Sequence, residues 1–319
     1  MKAFLGIDIG SLSAKMALLD DNKKLISHSY LPTQGNPVAV LQRGLEQMEQ
    51  CLPKDIEICS VATTGSARYL AEAVVGADCV KNEITSQAVA ALHLVPDVKT
   101  VIEIGGQDSK LIIIRDGVVV DFSMNTVCAA GTGSFLGHQA QRLNLSIEQF
   151  SQMAAESQNP VDINGKCTVF AESDMIHKQQ NGYRIEDIAC GLCRTLVYNY
   201  LSNVCPGKDM NPPIVFQGGV AFNQGIIRAL REKLETDIIV PRHHEISGAI
   251  GAALIAAEEV KSKTSCFKGF GVCRQQYTTS FFECRECSQL CQISQLRSCQ
   301  EIVHSWGGLC DLFQSAVKI

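Results

Sequence analysis

The sequence predicts an α/β protein built from two lobes of similar construction. At 319 residues with 46% hydrophobic residues and mixed charge, the chain is long enough for two compact lobes and is typical of folded globular proteins. An ungapped comparison aligns residues 7–21 with residues 102–116. The two copies share an acidic residue, a glycine and a lysine at matched positions, which are Asp8 and Glu103, Gly10 and Gly105, Lys15 and Lys110. The chain therefore contains an internal repeat.

Each copy of the repeat has the pattern of a β-meander. An apolar strand is followed by a glycine-containing turn, a second apolar strand, and a polar turn into a third strand at 25–31 or 118–122. Helical periodicity follows each meander, at 38–50, 84–94, 133–143, 185–204, 224–234 and 246–261. We expect a first lobe at 1–95, a second lobe at 96–262 and a cysteine-rich C-terminal segment at 263–319.

Charge and hydropathy exclude several classes of partner. The net charge of −5, the pI near 5.8 and the absence of any Lys/Arg run give no footprint for nucleic acid or for a membrane surface. Asp8 interrupts the first apolar run before a signal-peptide core forms, and no apolar stretch approaches the ~18 residues of a membrane span. We expect a cytoplasmic protein, where clustered thiols among the 15 cysteines indicate metal or redox chemistry.

The duplicated turns predict a nucleotide site. Small residues in a turn let backbone N–H groups approach phosphate oxygens, and an acidic side chain at the strand end can hold the water shell of Mg²⁺. Two such turns facing each other would clamp one nucleotide. Asp8 and Glu103 are the predicted water-mediated Mg²⁺ ligands, and Gln107 or Asp108 would orient the attacking water. The predicted nucleotide-binding residues are Gly10, Ser11, Ser13, Lys15, Gly105, Gly106, Gly131 and Gly133, with Gly218, Gly219 and Asn223 in a strand–turn–helix suited to packing against a planar base.

Five motifs together carry a family resemblance. They are Gly6-Ile-Asp-Ile-Gly-Ser11, Ile102-Glu-Ile-Gly-Gly-Gln-Asp-Ser-Lys110, Cys128-Ala-Ala-Gly-Thr-Gly133, Lys166-Cys-Thr-Val-Phe-Ala-Glu-Ser173 and Gly218-Gly-Val-Ala-Phe-Asn223. In this order they resemble the activator ATPases of 2-hydroxyacyl-CoA dehydratases, the group that includes the benzoyl-CoA reductase ATPase subunits, over roughly residues 1–260. The resemblance implies the actin/Hsp70/sugar-kinase fold. It also implies ATP hydrolysis that drives a low-potential electron into an iron–sulfur dehydratase or reductase, with a ferredoxin or flavodoxin as electron donor.

The same resemblance implies one 4Fe-4S cluster shared by two subunits, with Cys128 and Cys167 as the ligands from each chain. A thiolate where a helix begins lies at the positive end of the helix dipole, and the small residues after Cys128 leave room for a cluster edge. Two cysteines cannot complete four thiolates, so a homodimer is expected. The alternative for Cys128 is a small buried hydrophobe. Cys190 and Cys193 lie on one helix face, where core packing is expected.

The tail carries a second cysteine cluster. Cys284-x-x-Cys287-x-x-x-Cys291 can place three thiolates around one metal, with Cys266 or Cys273 as a fourth ligand. It resembles the cysteine-rich segment that follows activase domains in longer fused members of the family, which favours iron–sulfur over zinc only weakly, since Cys₄ zinc sites use similar spacings. An unmetallated, partly unfolded tail after a linker at 262–265 is the alternative. The chain is also compatible with a piece of a longer fusion.

Two other functions remain open for this fold, because fold alone does not determine function. One is a small-molecule kinase, and the other is an ATP-switched binding protein. Only the electron-transfer activator uses Cys128 and Cys167. The sequence departs from the family at Gln87, where the family often has His, so no role is carried over there. Arg68 and Glu172 recur with the family motifs without a specific role.

Overall fold

The computed structural model describes residues 1–53, 56–125, 127–165, 167–259, 264–299 and 301–313. The chain forms two compact units, one of Met1–Ser86 with Gly248–Ile319 and one of Gln87–Ser247. The first unit is therefore discontinuous in sequence, because the chain returns to it at Gly248. The division at 95 and 262 stays a prediction. The expected helix end at Lys261 and the first two residues of the expected linker at 262–265 lie outside the described residues.

The first unit is a five-stranded sheet with helices packed on it. Its strand order is β3-β2-β1-β4-β5, in which β1 pairs antiparallel with β2 and parallel with β4. Its core is formed by apolar side chains of β1, β2, β4, α1 and α2. Its elements are β1 (Lys2–Ile9), β2 (Ser13–Asp20), β3 (Leu25–Pro32), α1 (Pro37–Cys51), β4 (Glu57–Thr64), α2 (Arg68–Val75), β5 (Cys79–Val80) and, from the end of the second unit, α9 (Ser247–Glu259).

The second unit repeats this arrangement. Its strand order, β10-β9-β6-β7-β8, is that of the first sheet read in reverse, so the meander β6-β7-β8 corresponds to β1-β2-β3 and β9 corresponds to β4. The chain enters it through α3 (Glu83–Leu94). Its elements are β6 (Thr100–Ile104), β7 (Ser109–Arg115), β8 (Val118–Asn125), α4 (Gly133–Arg142), α5 (Ile147–Glu156), α6 (Thr168–Gln180), α7 (Ile185–Val204), β9 (Ile214–Gln217), α8 (Gln224–Leu234) and β10 (Ile238–Ile239).

The tail folds as part of the first unit. It forms an antiparallel sheet of β11 (Tyr277–Glu283), β12 (Gln292–Ser298) and β13 (Glu301–Trp306), preceded by a 3₁₀ turn at Phe270–Arg274. Val272 and Leu296 are fully buried in the same apolar core as α1 and β1. The Gln42 amide of α1 donates to the backbone oxygens of Val272 and Gln275 at 2.9 and 2.8 Å. The described tail is therefore ordered, and the alternative of a partly unfolded tail is wrong for it.

The helices predicted from periodicity lie where they were expected, with α7 and α8 matching at both ends. Cys190 and Cys193 are buried in the core of the second unit, as predicted. The periodicity did not identify α2, α5, α6 or the strands of the tail. Within the described residues, no helix combines the length and the apolar character needed to cross a bilayer.

Candidate functional site

Asp8 is the next-to-last residue of β1 and lies next to a tight turn. The residue is only 5% exposed, and Lys15, its cross-strand neighbour, donates from Nζ to Asp8 Oδ2 at 3.2 Å. The turn is closed by the Gly10 N–H, which donates to the Ser13 backbone oxygen at 3.0 Å. Ser11 is exposed at the tip of this turn. The predicted residues Asp8, Gly10, Ser11, Ser13 and Lys15 therefore form one small cluster.

Glu103 occupies the matching place in the second unit. It is 5% exposed, and the buried Lys110 donates to its Oε2 at 2.9 Å and to Asp108 Oδ2 at 2.8 Å. The Gly105 N–H closes the turn on the Asp108 backbone oxygen at 3.0 Å. One lysine thus holds two carboxylates, whereas Gln107 is exposed. This arrangement fixes the orientation of Glu103 and Asp108 before any ligand binds.

The Lys110 backbone is held by a second buried group. The Tyr200 hydroxyl of α7 donates to the Lys110 backbone oxygen at 3.0 Å. Burial raises the pKa of the Tyr200 phenol well above its usual value, so it stays a neutral donor. Strand β7 and helix α7 are therefore joined directly behind the acidic turn.

A glycine with positive φ lies behind each of the two acidic side chains. Gly65 follows β4 with φ +92°, and a Cβ there would lie 2.6 Å from Asp8 Oδ1 and 2.4 Å from the Ile9 oxygen. Gly218 follows β9 with φ +93°, and a Cβ there would lie 2.9 Å from Glu103 Oε1 and 2.6 Å from the Ile104 oxygen. The internal repeat therefore extends to a third element, which sequence comparison missed. The signal was available, because each parallel strand that follows its meander ends directly before a glycine.

The turn at Gly105 and Gly106 is tied to the start of α4. Gly133 N–H donates to the Gly105 oxygen at 2.9 Å, and Ser134 N–H donates to the Gly106 oxygen at 2.8 Å. The Gly133 N–H predicted to approach phosphate is therefore already bonded within the protein. These two bonds connect the Glu103 turn to the segment that begins at Cys128.

Cys128 precedes a short 3₁₀ turn at Ala129–Gly131, and α4 begins only at Gly133. The expectation that Cys128 begins a full helix is therefore wrong, because the backbone makes this turn first. Its position is fixed by Asn125, whose Oδ1 accepts from Cys128 N–H at 2.9 Å and whose Nδ2 donates to the Cys128 oxygen at 2.7 Å. Sequence reasoning missed Asn125, although an Asn that ends a strand before a loop is a common signal of such a turn. The thiol makes no capping hydrogen bond and is half-buried.

Cys167 is the residue that begins a long helix. It is the N-cap of the 13-residue α6 and is exposed. Its loop is held by α7, because Asn199 Nδ2 donates to the Gly165 oxygen at 3.1 Å. The next α7 residue, Tyr200, lies against Gly131 of the other cysteine loop. Consecutive residues of α7 therefore anchor the loops of both predicted cluster ligands.

An ion pair joins the helices that follow the two cysteines. Arg142, in the last turn of α4, lies 2.5 Å from Glu172 of α6. Both side chains are partly exposed, so the pair contributes about 0–1 kcal/mol. It gives Glu172 a structural partner. Arg68 has a comparable structural contact, since its guanidinium donates to the Gly65 oxygen at 3.1 Å.

The remaining predicted positions have local structural roles. Asn223 caps α8 by accepting from the Ile226 N–H at 3.1 Å, while Gly219 begins a 3₁₀ turn. Gln87, which stands at the family's histidine position, accepts at Oε1 from Gln217 at 2.6 Å and from Ser247 at 2.8 Å. Gln87 therefore has a structural role in the second unit.

The predicted tail ligands occupy one loop. The Cys284 N–H donates to the Cys291 oxygen at 2.8 Å, and Cys287 lies in the exposed loop between them. Among the described tail residues, no three cysteine sulfurs lie within 4.8 Å of one another. Cys273 and Cys266 lie elsewhere, Cys273 against the core of the first unit and Cys266 with its N–H on Asp78 Oδ1 at 2.7 Å.

Three comparisons with known proteins agree on the fold and the family. Residues 5–256 match the model of the BadF/BadG/BcrA/BcrD ATPase family. The (R)-2-hydroxyglutaryl-CoA dehydratase activating ATPase of Acidaminococcus fermentans is 35% identical over 255 residues, which cover 79% of this chain and 96% of the relative. The solved structure of the activator of the 2-hydroxyisocaproyl-CoA dehydratase from Clostridium difficile with bound ADPNP matches with TM-score 0.74 and 33% identity, over 81% of this chain and 96% of that chain.

A more distant likeness concerns the fold alone. A ROK family glucokinase from Streptomyces griseus matches with TM-score 0.50 and 13% identity, over 80% of this chain and 99% of that chain. The repeated sheet of the two units, together with these likenesses, shows the actin/Hsp70/sugar-kinase-like ATPase fold.

Proposed function

The chain belongs to the BadF/BadG/BcrA/BcrD ATPase family, and on this premise we propose that it is an ATP-hydrolysing activator that passes a low-potential electron to a partner enzyme. The proposed partner is an iron–sulfur dehydratase or reductase acting on CoA esters, as the names of its relatives suggest. One observation carries the proposal. The acidic turn at Glu103 and the loop of Cys128 are joined by the two hydrogen bonds from α4 to Gly105 and Gly106.

The nucleotide part rests on the two acidic turns. Asp8 and Glu103 are proposed as water-mediated Mg²⁺ ligands, with ATP phosphates on the turns of Gly10 and Gly105. The residues fit this group, because a buried polar oxygen without a hydrogen-bond partner among the described residues lies across the sheet from each carboxylate. They are Thr64 Oγ1, directly across the sheet from Asp8, and Gln217 Oε1, directly across the sheet from Glu103.

The contacts of Gln107 and Asp108 decide which of the two side chains is proposed to position the attacking water. Asp108 is engaged by Lys110, while Gln107 is exposed at the tip of the turn. We assign the positioning of the attacking water to Gln107, because an amide that is not held by the turn can rotate toward a ligand. Asp108 then keeps Lys110 in place beside Glu103.

The electron-transfer part rests on Cys128 and Cys167. A bound 4Fe-4S cluster supplies one-electron chemistry and prefers thiolate ligands. The donor set fits, since both thiols lie on loops anchored by neighbouring residues of α7. The second pair of thiolates would come from a second copy of the chain, so we propose a homodimer, with a ferredoxin or flavodoxin as electron donor.

Exposed apolar side chains next to both cysteines support an interface there. Val127 is 96% exposed directly before Cys128, and Phe170 is 69% exposed three residues after Cys167. Large exposed apolar side chains beside both predicted cluster ligands are typical of a protein contact. Neither a small-molecule kinase nor an ATP-switched binding protein of this fold has a use for the paired thiols.

Coupling between the two parts follows from the connection through α4. Phosphate contacts that shift the Gly105–Gly106 turn would move Gly133 and Ser134, and with them the 3₁₀ turn that carries Cys128. A nucleotide can change the thiol positions only as far as it binds two arrangements with different affinity.

The experiment uses the full chain, purified without oxygen. We expect Mg²⁺-dependent ATP hydrolysis that falls sharply in Asp8→Asn and Glu103→Gln. Asp21→Asn and Asp116→Asn are matched controls, because these acids are also repeated but lie exposed at the polar turns. Equal hydrolysis in the site and control variants would remove the paired carboxylates from the site.

A second arm tests the thiols. Iron and sulfide should be lost in Cys128→Ser and in Cys167→Ser, and kept in Cys51→Ser, an exposed cysteine of the first unit. Iron chelation rates and the redox potential should then differ between the protein without nucleotide, with ADP and with a non-hydrolysable ATP analogue. Coincidence of all three states, with electron delivery that is independent of ATP, would exclude coupling.

A further inference from the structure

We propose that the tail holds a zinc ion in a four-cysteine site made by Cys284, Cys287, Cys291 and Cys310. This inference is independent of the proposed function, because it concerns residues beyond the family match at 5–256. Sequence spacing alone identified the first three cysteines and left Cys266 or Cys273 as the fourth. The topology of the tail sheet points to Cys310.

The first step is the position of Cys284 and Cys291. In the β11–β12 ladder, Phe282 pairs with Ile293 and Glu283 pairs with Gln292. The bond from Cys284 N–H to the Cys291 oxygen, at 2.8 Å, continues this ladder by one pair. Because side chains alternate between the two faces of a sheet, Cys284 and Cys291 lie on the same face as Phe282 and Ile293. This is the face opposite to Leu296, which enters the core of the first unit.

The second step is the path of the chain after β13. A Cβ at Gly307 would lie 2.5 Å from the Gln292 oxygen, and one at Gly308 would lie 3.3 Å from Ile293 Cδ1. Further on, the ring of Phe313 packs edge-on against Phe282, with centroids 5.4 Å apart. The chain therefore crosses from the start of β12 to the end of β11, over the face that carries Cys284 and Cys291.

The third step places Cys310 on this path. It is three residues after Gly307 and three residues before Phe313, and three residues span at most about 10 Å. Cys310 is thus confined near the end of the sheet where the Cys284–Cys291 loop lies. Cys287, in that loop, is exposed, as is Cys310, so both side chains are able to turn toward a common point.

Cys266 and Cys273, the two earlier candidates for the fourth ligand, lie away from the loop that holds Cys284 and Cys291. Cys273 precedes β11, whose seven residues extend about 23 Å toward the Cys284 end. Cys299 stands at the same distant end as Cys273, since Tyr277 pairs with Ser298. Cys266 has its N–H bonded to Asp78 of the first unit.

Zinc is the metal that this donor set favours. Four thiolates on two loops of a small sheet are typical of closed tetrahedral zinc sites, with Zn–S near 2.3 Å and sulfurs about 3.8 Å apart. No three described tail sulfurs are yet within 4.8 Å, so binding requires rotation of the cysteine side chains. Each coordinating thiol loses its proton to solvent, so affinity should fall as the pH is lowered. The bound ion would join the loop after β11 to the segment after β13.

The test measures zinc, iron and sulfide in the full-length protein. We expect about one tightly held zinc ion per chain in the wild type. Cys287→Ser and Cys310→Ser should retain zinc at least tenfold more weakly in competition with a chromophoric chelator. Cys299→Ser is the matched control, because it is also an exposed tail cysteine but lies at the opposite end of the sheet. It should retain zinc as the wild type does.

A second readout separates ligation from a folding defect. Cobalt added in place of zinc should give the visible absorption of a tetrahedral tetrathiolate site in the wild type and in Cys299→Ser, and an altered spectrum in Cys310→Ser. Zinc retained equally in Cys310→Ser and wild type would overturn the assignment, as would zinc loss in Cys273→Ser with retention in Cys310→Ser. If Cys287→Ser and Cys310→Ser instead lose iron and sulfide that the wild type holds, the zinc assignment is wrong and the tail holds an iron–sulfur cluster.

Discussion

Replacing Gly218 with alanine tests the structural basis of the Glu103 site. Two separate costs follow from the coordinates. The backbone φ of +93° is a conformation that costs an alanine about 1–2 kcal/mol. The added Cβ would also lie 2.6 Å from the Ile104 oxygen and 2.9 Å from Glu103 Oε1, and such overpacking costs about 1–3 kcal/mol.

Gly182→Ala separates the two costs. Gly182 lies in the same unit with φ +78°, and a Cβ there would meet nothing within 4 Å. It should lose only the conformational part, whereas Gly218→Ala should lose about 2–5 kcal/mol in all. At about 2–4 °C per kcal/mol, the difference between the variants corresponds to several degrees in the melting temperature of the second unit.

The assay is thermal unfolding followed by ATP hydrolysis on the same samples. Gly218→Ala should melt below Gly182→Ala and should hydrolyse ATP more slowly, because the new methyl group displaces the Glu103 carboxylate. If the two variants melt together and hydrolyse ATP equally, the argument that Gly218 supports Glu103 is refuted.

Further predictions follow from other contacts. Gly65→Ala should impair ATP hydrolysis in the same way, since its Cβ would lie 2.6 Å from Asp8 Oδ1; hydrolysis equal to that of Gly182→Ala would contradict this. Asn125→Ala should lower the iron content after gel filtration, because it removes both bonds to the Cys128 backbone, while the exposed Asn181→Ala should keep it. Leu296→Ala should destabilise the first unit by about 2–5 kcal/mol in denaturant titrations, and an unchanged midpoint would place Leu296 outside the core. Burial raises the pKa of Cys79 to about 11 and that of Cys205 to about 12, so at pH 8 about one Cys79 thiol in a thousand is ionised, and fewer of Cys205. Mass spectrometry after brief alkylation should find both unmodified and the exposed Cys51 modified.

Much of the fold could be predicted from the sequence, because the same pattern occurs twice. The matched acid, glycine and lysine of residues 7–21 and 102–116 predict a pair of equivalent meanders, and cross-strand partners Asp8–Lys15 and Glu103–Lys110 confirm the register. Long amphipathic helices such as α7 were predicted to the residue, because their apolar period is sustained over many turns.

Other elements escaped prediction for physical reasons. Helix α6 has few buried residues, so its apolar period is weak, and it begins with a cysteine in place of the usual capping residues. The tail strands alternate poorly, because every residue of β11 after Tyr277 is exposed, whereas β12 buries Ile293 on one face and Leu296 on the other. The glycines behind Asp8 and Glu103 directly follow β4 and β9, which the sequence shows, but their contacts with the two acids depend on the sheet order, which composition does not encode.

The adjacent anchors on α7 have a mechanical consequence. Asn199 contacts the loop of Cys167, and Tyr200 contacts both the loop of Cys128 and the strand of Lys110. The two loops and the strand therefore contact a single turn of α7. A displacement of that turn would act on both cysteine loops at once, because each loop has a contact with it. Motion arriving from the acidic turn through Lys110 would therefore reach the loops of both cysteines, and with them the surface that we propose meets the second subunit.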